Sequence, residues 1–106
     1  MIARIWHGIT PVAKADEYVE FLNKTGVKDY RATEGNLAAY VLRRIEGEQA
    51  HFLTLTFWDS VESIKKFAGE DYEKARYYPE DKDFLLEFEE NVAHYEVTFS
   101  ASSSES

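Results

Sequence analysis

The sequence predicts an α+β ferredoxin-like sandwich, in which two helices cover one face of a four-stranded sheet. Strand-like runs occupy the two ends of the chain, and two more lie in its middle around a glycine turn. An amphipathic helix separates the middle pair from each end strand. This β-α-β-β-α-β order is typical of ferredoxin-like folds, whose terminal strands lie side by side. The 106 residues suit a single domain, which we expect to cover residues 1–99.

The first strand is predicted over residues 1–10, and a helix follows it. Thr10 is a favourable N-cap, and Pro11 is a favourable first helical residue because its missing N–H would have no partner there. Apolar residues then recur at helical spacing over residues 12–26. We therefore expect one amphipathic helix that extends towards Tyr30.

The middle of the chain predicts a hairpin followed by a second helix. Residues 37–45 and 52–58 predict two strands, and Gly47 can supply the positive φ of the turn between them. Asp59 has the position of an N-cap, and a glutamate three residues later completes a capping-box pattern. Gly69 is the expected end of this helix.

The last third of the chain is less regular. Residues 71–78 predict a further short helix that ends before a proline. Residues 81–90 mix acidic and aromatic side chains and indicate no particular element. Residues 91–100 predict the last strand, and the serine-rich residues 100–106 predict a disordered tail.

Large apolar residues occupy both faces of the predicted strands. In the first strand Ile2 and Trp6 alternate with Ile5 and Ile9, whereas a sheet with one wet face alternates apolar with polar residues. Leaving such side chains in water would forgo roughly 1.5–3 kcal/mol each. Because the helices suffice for only one face, we expect a homodimer that packs sheet against sheet.

The composition excludes several classes of function. The formal net charge is −8, so nucleic acid is not an expected partner. The chain has no cysteine, which excludes disulfides and thiolate chemistry. No apolar run approaches the ~18 residues of a membrane span, and no signal-peptide pattern is present. We therefore expect no membrane partner and a cytoplasmic location. The aromatic fraction of 15% favours an aromatic-lined pocket or subunit contact.

Two adjacent segments carry a family resemblance. FLTLTFWDSVESIKKF, followed by DYEKARYY, resembles the part of the antibiotic biosynthesis monooxygenase superfamily in which a strand ends in tryptophan and leads into a helix. The opening MIARIWHGIT and the closing NVAHYEVTF fit the same pattern. The resemblance implies a dimeric α+β barrel. Its members include cofactor-independent monooxygenases of aromatic polyketides, quinol oxidases and haem-degrading enzymes.

The haem-degrading branch does not match residue by residue. Its asparagine near the end of the first strand falls on His7, its tryptophan in the second helix on Phe67, and its haem-ligating histidine on Tyr77. Trp58 does match the strand-end tryptophan, and we interpret it as a packing residue. Because tyrosine can ligate haem iron, haem binding remains an alternative, but we expect no cofactor and no haem degradation.

His7 is the sharpest catalytic candidate, since the resemblance places a pocket-facing polar residue near the end of this strand. It is either a packed strand histidine or a neutral imidazole that orients or deprotonates a phenolic substrate. If the terminal strands pair from end to end, His94 lies opposite His7 and supports it. The two histidines could form a hydrogen-bonded pair or part of a metal site, and we favour the pair. His51 is expected roughly 15–20 Å from His7, on the premise that the first and third strands are parallel, and so to be an edge or interface residue.

The remaining site candidates are expected to line a pocket under the helices. The resemblance places Phe67 and Tyr77 there, and Tyr77 could donate to a substrate oxygen. Arg76 either attracts an anionic substrate group or pairs on the surface with Glu73 or Glu80. The full set of predicted site residues is His7, His94 and Tyr77 as catalytic, and Ile5, Ile9, Phe67, Arg76 and Tyr78 as substrate-binding.

These observations favour a cofactor-independent monooxygenase or quinol oxidase that acts on a small aromatic molecule. The alternative is a non-enzymatic protein that binds a hydrophobic ligand or haem on the same scaffold.

Overall fold

The computed structural model describes residues 1–101, and all but two residues of the predicted tail therefore lie outside the described residues. Within that part of the chain, a four-stranded antiparallel sheet has the order β2-β3-β1-β4. The strands are β1 (Ile2–Pro11), β2 (Asn36–Glu46), β3 (Gln49–Trp58) and β4 (Ala93–Glu96). The terminal strands are neighbours, as the ferredoxin-like prediction requires. The α+β ferredoxin-like fold is confirmed.

The helices are α1 (Ala15–Lys24), α2 (Gly26–Ala32) and α3 (Val61–Ala68), with 3₁₀ turns at Val12–Lys14 and Pro79–Asp83. The predicted first helix is interrupted at Thr25, whose φ of −117° and ψ of −89° are not helical. The cap of α3 is Ser60 rather than the predicted Asp59, because the Ser60 hydroxyl accepts from the backbone N–H of Ser63.

One expectation about the strands is wrong. β1 and β3 are antiparallel, with Ile9 opposite His51 and Ala3 opposite Phe57. The hairpin reverses β3 relative to β2, and β2 is parallel to β1, so the premise that β1 and β3 run parallel fails. The hairpin turn itself is confirmed, since Gly47 has a φ of +62°.

The two faces of the sheet are assigned by register and burial. In β1 and β3 the even-numbered side chains point to the helices, and we call this the covered face. Trp6, Phe52 and Trp58 are buried there. The odd-numbered side chains form the open face, which no helix covers. Ile5 and Ile9 belong to the open face, and not to the pocket under the helices where they were expected.

The core under the helices consists of two clusters that share the covered face. One joins Trp6, Tyr18, Leu22 and Phe52, and the other joins Tyr30, Trp58, Ile64 and Phe67. Gly8 is required beside the first cluster, because a Cβ atom there would lie 2.2 Å from the indole ring of Trp6. The indole therefore lies directly across the backbone of its own strand.

Residues 70–92 close one side of the covered face, and we call them the cap segment. The predicted helix at residues 71–78 does not form, and the chain is extended or turned, with a single bridge between Lys74 and Asn91. The backbone N–H of Leu86 donates to the carbonyl of Ile9 at 2.9 Å. Leu85 is buried in the core. The cap segment is thus attached to the end of β1 as well as to itself.

No helix among residues 1–101 is long and apolar enough to cross a bilayer.

Candidate functional site

A cavity of about 30 Å³ lies between the covered face, the helices and the cap segment. That volume is close to the share of one water molecule in the liquid. We call it the covered cavity. Its walls contain two guanidinium groups and five aromatic rings. The lining residues are Arg4, Trp6, Tyr18, Leu22, Gly26, Tyr30, Thr54, Arg76, Tyr77, Tyr78 and Asp81.

Arg4 is the most unusual residue of this cavity. It is only 2% exposed, yet none of the ion pairs in the described part of the chain includes it. Its Nη2 donates a long hydrogen bond, 3.4 Å, to the carbonyl of Lys74, and its Nε is buried without a partner. Burial lowers the pKa of Arg4, and the neighbouring Tyr30 opposes that shift. A buried cation without a counter-ion is costly, so the site favours an incoming anion.

Arg76 approaches the same cavity from the cap segment. Its guanidinium lies 4.8 Å from the ring centre of Phe67 and 5.5 Å from that of Tyr78. Nη2 is 3.7 Å from a carboxylate oxygen of Asp29. The expected surface partners Glu73 and Glu80 are therefore wrong, and Arg76 pairs with α2. Arg4 also lies over the ring of Phe67, at 5.4 Å, so this ring holds both guanidiniums.

Tyrosine hydroxyls form the polar part of the wall. The indole N–H of Trp6 donates to the Tyr77 hydroxyl at 3.2 Å, and that hydroxyl donates to the carbonyl of Glu89 at 2.6 Å. Burial raises the pKa of Tyr77. The Tyr78 hydroxyl donates to Asp29, and burial raises its pKa as well. Both groups therefore stay protonated at neutral pH and act as donors.

Asp81 joins the cap segment to α1. Its carboxylate accepts from the Tyr18 hydroxyl at 2.9 Å and from the backbone N–H of Tyr78 at 2.7 Å. Burial raises the pKa of Asp81 although these hydrogen bonds oppose the shift. Asp81 is in none of the ion pairs among residues 1–101, so this carboxylate positions the wall and does not pair with Arg4.

His94 lies on the covered face, directly opposite Arg4. The predicted register, with His94 opposite His7, is wrong by three residues, and a shift of an odd number moves a side chain to the other face. Nε2 of His94 is buried without a partner. Burial lowers the pKa of His94, and the charge of Arg4 lowers it further. His94 is therefore neutral beside a buried cation.

The structure divides the predicted site between the two faces. Tyr77, Tyr78 and Arg76 line the covered cavity, whereas Phe67 lies outside its lining and packs against the guanidiniums of Arg4 and Arg76. His7, with Ile5 and Ile9, lies on the open face and is not part of the lining of the covered cavity. The resemblance places His7 in the pocket, but its side chain points to the open face of β1. The side chain that points under the helices is that of Trp6.

His7 instead contacts two residues that were not expected beside it. Its Nδ1 is hydrogen-bonded to a carboxylate oxygen of Glu89, and its Nε2 lies 3.1 Å from Nδ1 of His51. The expected separation of roughly 15–20 Å is wrong, because the antiparallel register brings His51 next to His7. Glu89, which no sequence pattern singles out, is a partner of this cluster.

Sequence reasoning missed Arg4 as a site residue. A signal was present, because an arginine sits between apolar residues in the first strand, on the parity that also carries Trp6. Thr54 and Thr56, on the same face, are a second signal, since hydroxyls buried under helices require partners. Among residues 1–101, no group of three or more His, Asp or Glu side chains is arranged to hold a metal ion.

Comparison with known proteins bears on the fold. No protein-family model and no curated protein matches the chain. Several solved structures match over nearly its whole length. A Bacillus cereus protein of the antibiotic biosynthesis monooxygenase type has a TM-score of 0.68 at 16% identity, and covers 96% of this chain and 97% of its own.

Two further matches are structures of MhuD. The haem degrader MhuD from Mycobacterium tuberculosis, with two haems in its active site, has a TM-score of 0.60 at 20% identity, and covers 96% of this chain and 100% of its own. A MhuD mutant with manganese protoporphyrin has a TM-score of 0.62 at 20% identity, over 97% and 100% of the two chains. The chain therefore has the fold of the antibiotic biosynthesis monooxygenase-type proteins, as its sequence resemblance implies.

Proposed function

We propose that the protein binds a small acidic aromatic molecule at the covered cavity and oxidises it with dioxygen, without a bound cofactor. The observation that carries this proposal is Arg4, a buried guanidinium that has no counter-ion and whose Nε has no partner. A phenolate or enolate oxygen would supply the missing negative charge. The aromatic walls suit the ring that carries such an oxygen.

The two guanidiniums have complementary roles in this proposal. Arg4 stabilises the anion and so favours loss of the substrate proton, because nearby positive charge lowers the pKa of an acid. Arg76 adds charge from the cap segment. Tyr77 donates a hydrogen bond to a second substrate oxygen after giving up its bond to the carbonyl of Glu89.

The oxidation balances without an external reductant. An activated methylene group of the substrate loses its proton to solvent, and the resulting anion gives electrons to dioxygen. One oxygen atom becomes a carbonyl at that carbon, and the other leaves as water. The CH₂ group is oxidised by four electrons and O₂ is reduced by four. The protein's contribution is to hold the anion.

Entry of a ring requires the cap segment to move, because the cavity of about 30 Å³ holds no more than a water-sized group. In this proposal the two arms of the cap segment move as one unit. Residues 70–78 and 84–92 contain no helix or strand. Two backbone hydrogen bonds of 2.8 Å, Ala75 N–H to Glu90 and Val92 N–H to Glu73, hold its two arms together.

Haem is a poorer fit than a small aromatic anion. Ligation of iron would require the Tyr77 hydroxyl to lose its proton, whereas burial raises its pKa, and no histidine is among the residues that line the covered cavity. His7 faces away on the open face. The residues of this chain do not fit haem in this arrangement, and no step is assigned to it.

We further propose that two copies associate through the open face. Tyr40 and Leu42 on β2 and Tyr95 on β4 are 53%, 44% and 59% exposed there. Leu53, Leu55 and Phe57 on β3 lie between them and are half-buried. A single layer of helices cannot cover this surface, and a second sheet would. A cytoplasmic location stays a prediction of the sequence.

Oxygen consumption with a panel of quinols and of phenols with an activated methylene group tests the proposed function. We expect turnover of at least one acidic aromatic by the wild-type protein, and a loss of tenfold or more in Arg4→Gln. The matched control is Arg31→Gln, which removes an exposed arginine that bonds only Asn36. Binding without oxygen uptake would instead identify a carrier protein. Equal turnover by Arg4→Gln and the wild type would contradict the role assigned to Arg4.

A further inference from the structure

The covered cavity has room for one small ion, and it extends from the surface to a buried cation. Its volume of about 30 Å³ is close to that of a single water molecule. Arg76 and Arg4 both line it, and the side chain of Arg76 is 43% exposed whereas Arg4 is only 2% exposed. Solvent therefore meets the cavity at Arg76, and the guanidinium of Arg4 lies at its buried end.

The charge of Arg4 is not balanced within the described part of the chain. The neighbouring groups with the largest effects on its pKa are Tyr30 and Arg76, and neither is a carboxylate. The carboxylate in the lining, that of Asp81, is hydrogen-bonded to α1 and to the cap segment. A water molecule could accept from the free Nε–H of Arg4, but it would leave the guanidinium charge uncompensated. An anion satisfies both needs, and burial makes the second need the larger one.

We propose that the covered cavity binds one halide ion, chloride under physiological conditions, as the counter-ion of Arg4. Chloride and bromide are each comparable in size to a water molecule, whereas sulfate, phosphate and organic carboxylates are larger than the cavity. The Nε–H of Arg4 donates to the ion. Arg76 adds positive charge at the entrance, although Asp29 at 3.7 Å offsets part of it. In a chain of net charge −8, this cavity is a local exception that attracts an anion.

The halide also regulates the site at which we propose oxidation. It occupies the position of the substrate oxygen beside Arg4, so an acidic aromatic molecule must displace it, and halide is a competitive inhibitor. This competition rests on the proposed function. Halide binding itself does not, because it needs no substrate, no dioxygen and no movement of the cap segment.

Urea unfolding of the full chain in sodium chloride and in sodium gluconate tests the inference. Equal ionic strength makes charge screening the same in both salts, and gluconate is too large for the cavity. A ligand that binds only the folded protein raises its stability with concentration, as one bound ion requires. We expect a higher urea midpoint in chloride. The difference between the salts should be lost in Arg4→Gln and kept in the matched control Arg31→Gln.

Gly26→Ala is a second variant, which leaves Arg4 in place. Gly26 lines the covered cavity, and a Cβ atom there would lie 3.8 Å from the nearest atom of the Tyr30 ring, which is an ordinary contact. The variant should therefore fold, while its methyl group takes up space that the ion needs. We expect its chloride affinity to fall tenfold or more. This result decides the question even if Arg4→Gln does not fold.

Anomalous diffraction from crystals soaked in sodium bromide locates the ion. We expect one bromide within hydrogen-bond distance of Nε of Arg4. A water molecule at that position, or equal urea midpoints of the wild type in the two salts, would overturn the inference. If chloride stabilises the wild type but acidic aromatics bind equally well in both salts, halide binding stands. That outcome would contradict the competition and the role of Arg4 in the proposed function.

Discussion

Each face of this sheet carries side chains that its cover does not explain. Under the helices, β3 places Thr54 and Thr56 between its aromatic residues, and β1 contributes Arg4. On the side without helices, β3 places Leu55 and Phe57. A sheet that needed only a core would have the apolar set inside. Polar side chains that are buried under the helices therefore indicate a site, and apolar side chains that are left uncovered indicate a contact surface.

The largest effect is expected from a substitution that disrupts the proposed dimer contact on the open face. Tyr40→Asp places a charge where a second sheet would pack, and an unpaired buried charge costs roughly 3 kcal/mol or more, which is ~100-fold in affinity. We expect a dimer of the wild-type chain to become a monomer, as measured by light scattering after gel filtration. Leu86→Asp is the control, since Leu86 is 50% exposed but lies on the cap segment. A monomeric wild type at micromolar concentration would contradict the assignment of this face.

The next effect separates function from stability on the covered face. Arg4→Met should abolish binding of acidic aromatics and leave the free energy of unfolding unchanged or about 1–2 kcal/mol higher, because it removes a buried charge without a partner. Urea unfolding and ligand titration measure the two quantities. A large loss of stability would mean that Arg4 is a structural residue, and the site would lose its main support.

A smaller effect tests the packing of the covered face. In Gly8→Ala the new methyl group would overlap the indole of Trp6, which also donates to Tyr77. Overpacking of this kind costs about 1–3 kcal/mol. We expect a lower urea midpoint and a changed tryptophan fluorescence. An unchanged protein would show that the indole moves freely, and that the wall of the covered cavity is less fixed than its hydrogen bonds indicate.

The smallest effect is the pH dependence that His94 contributes. Its pKa is lowered in the folded protein by burial and by Arg4. The unfolded chain therefore binds the proton first as pH falls, and stability decreases below the ordinary histidine pKa of about 6.5. Urea unfolding at pH 8 and pH 5.5 should show a larger decrease for the wild type than for His94→Gln. Equal decreases in the two proteins would mean that a group other than His94 causes the loss of stability at low pH.

The sequence predicts the element order, the hairpin at Gly47 and the ferredoxin-like fold, because these depend on local periodicity and turn chemistry. It does not predict which face the helices cover. Both the odd- and the even-numbered residues of β1 and β3 are apolar. Hydrophobicity alone therefore does not decide whether Trp6 or Ile5 faces the core. The misplacement of Ile5, Ile9 and His7 follows from that ambiguity.

The site depends on contacts that no local pattern records. The register of β4 is set by how the cap segment returns to β1, and residues 70–92 have no periodicity from which that path could be read. Tyr77 was nevertheless expected at the pocket, because the family resemblance supplies its position. Glu89 could not be identified, since a glutamate among acidic residues is ordinarily solvated.

The position of the cap segment in the chain has a consequence for synthesis. β1 is made first, but its partner β4 and the cap residues that attach to Ile9 are made last. Until they emerge from the ribosome, one edge of β1 has unpaired backbone groups, which can pair with other chains. Nascent chains that stall before residue 93 would therefore be the aggregation-prone species, and a chaperone that shields strand edges would act on them.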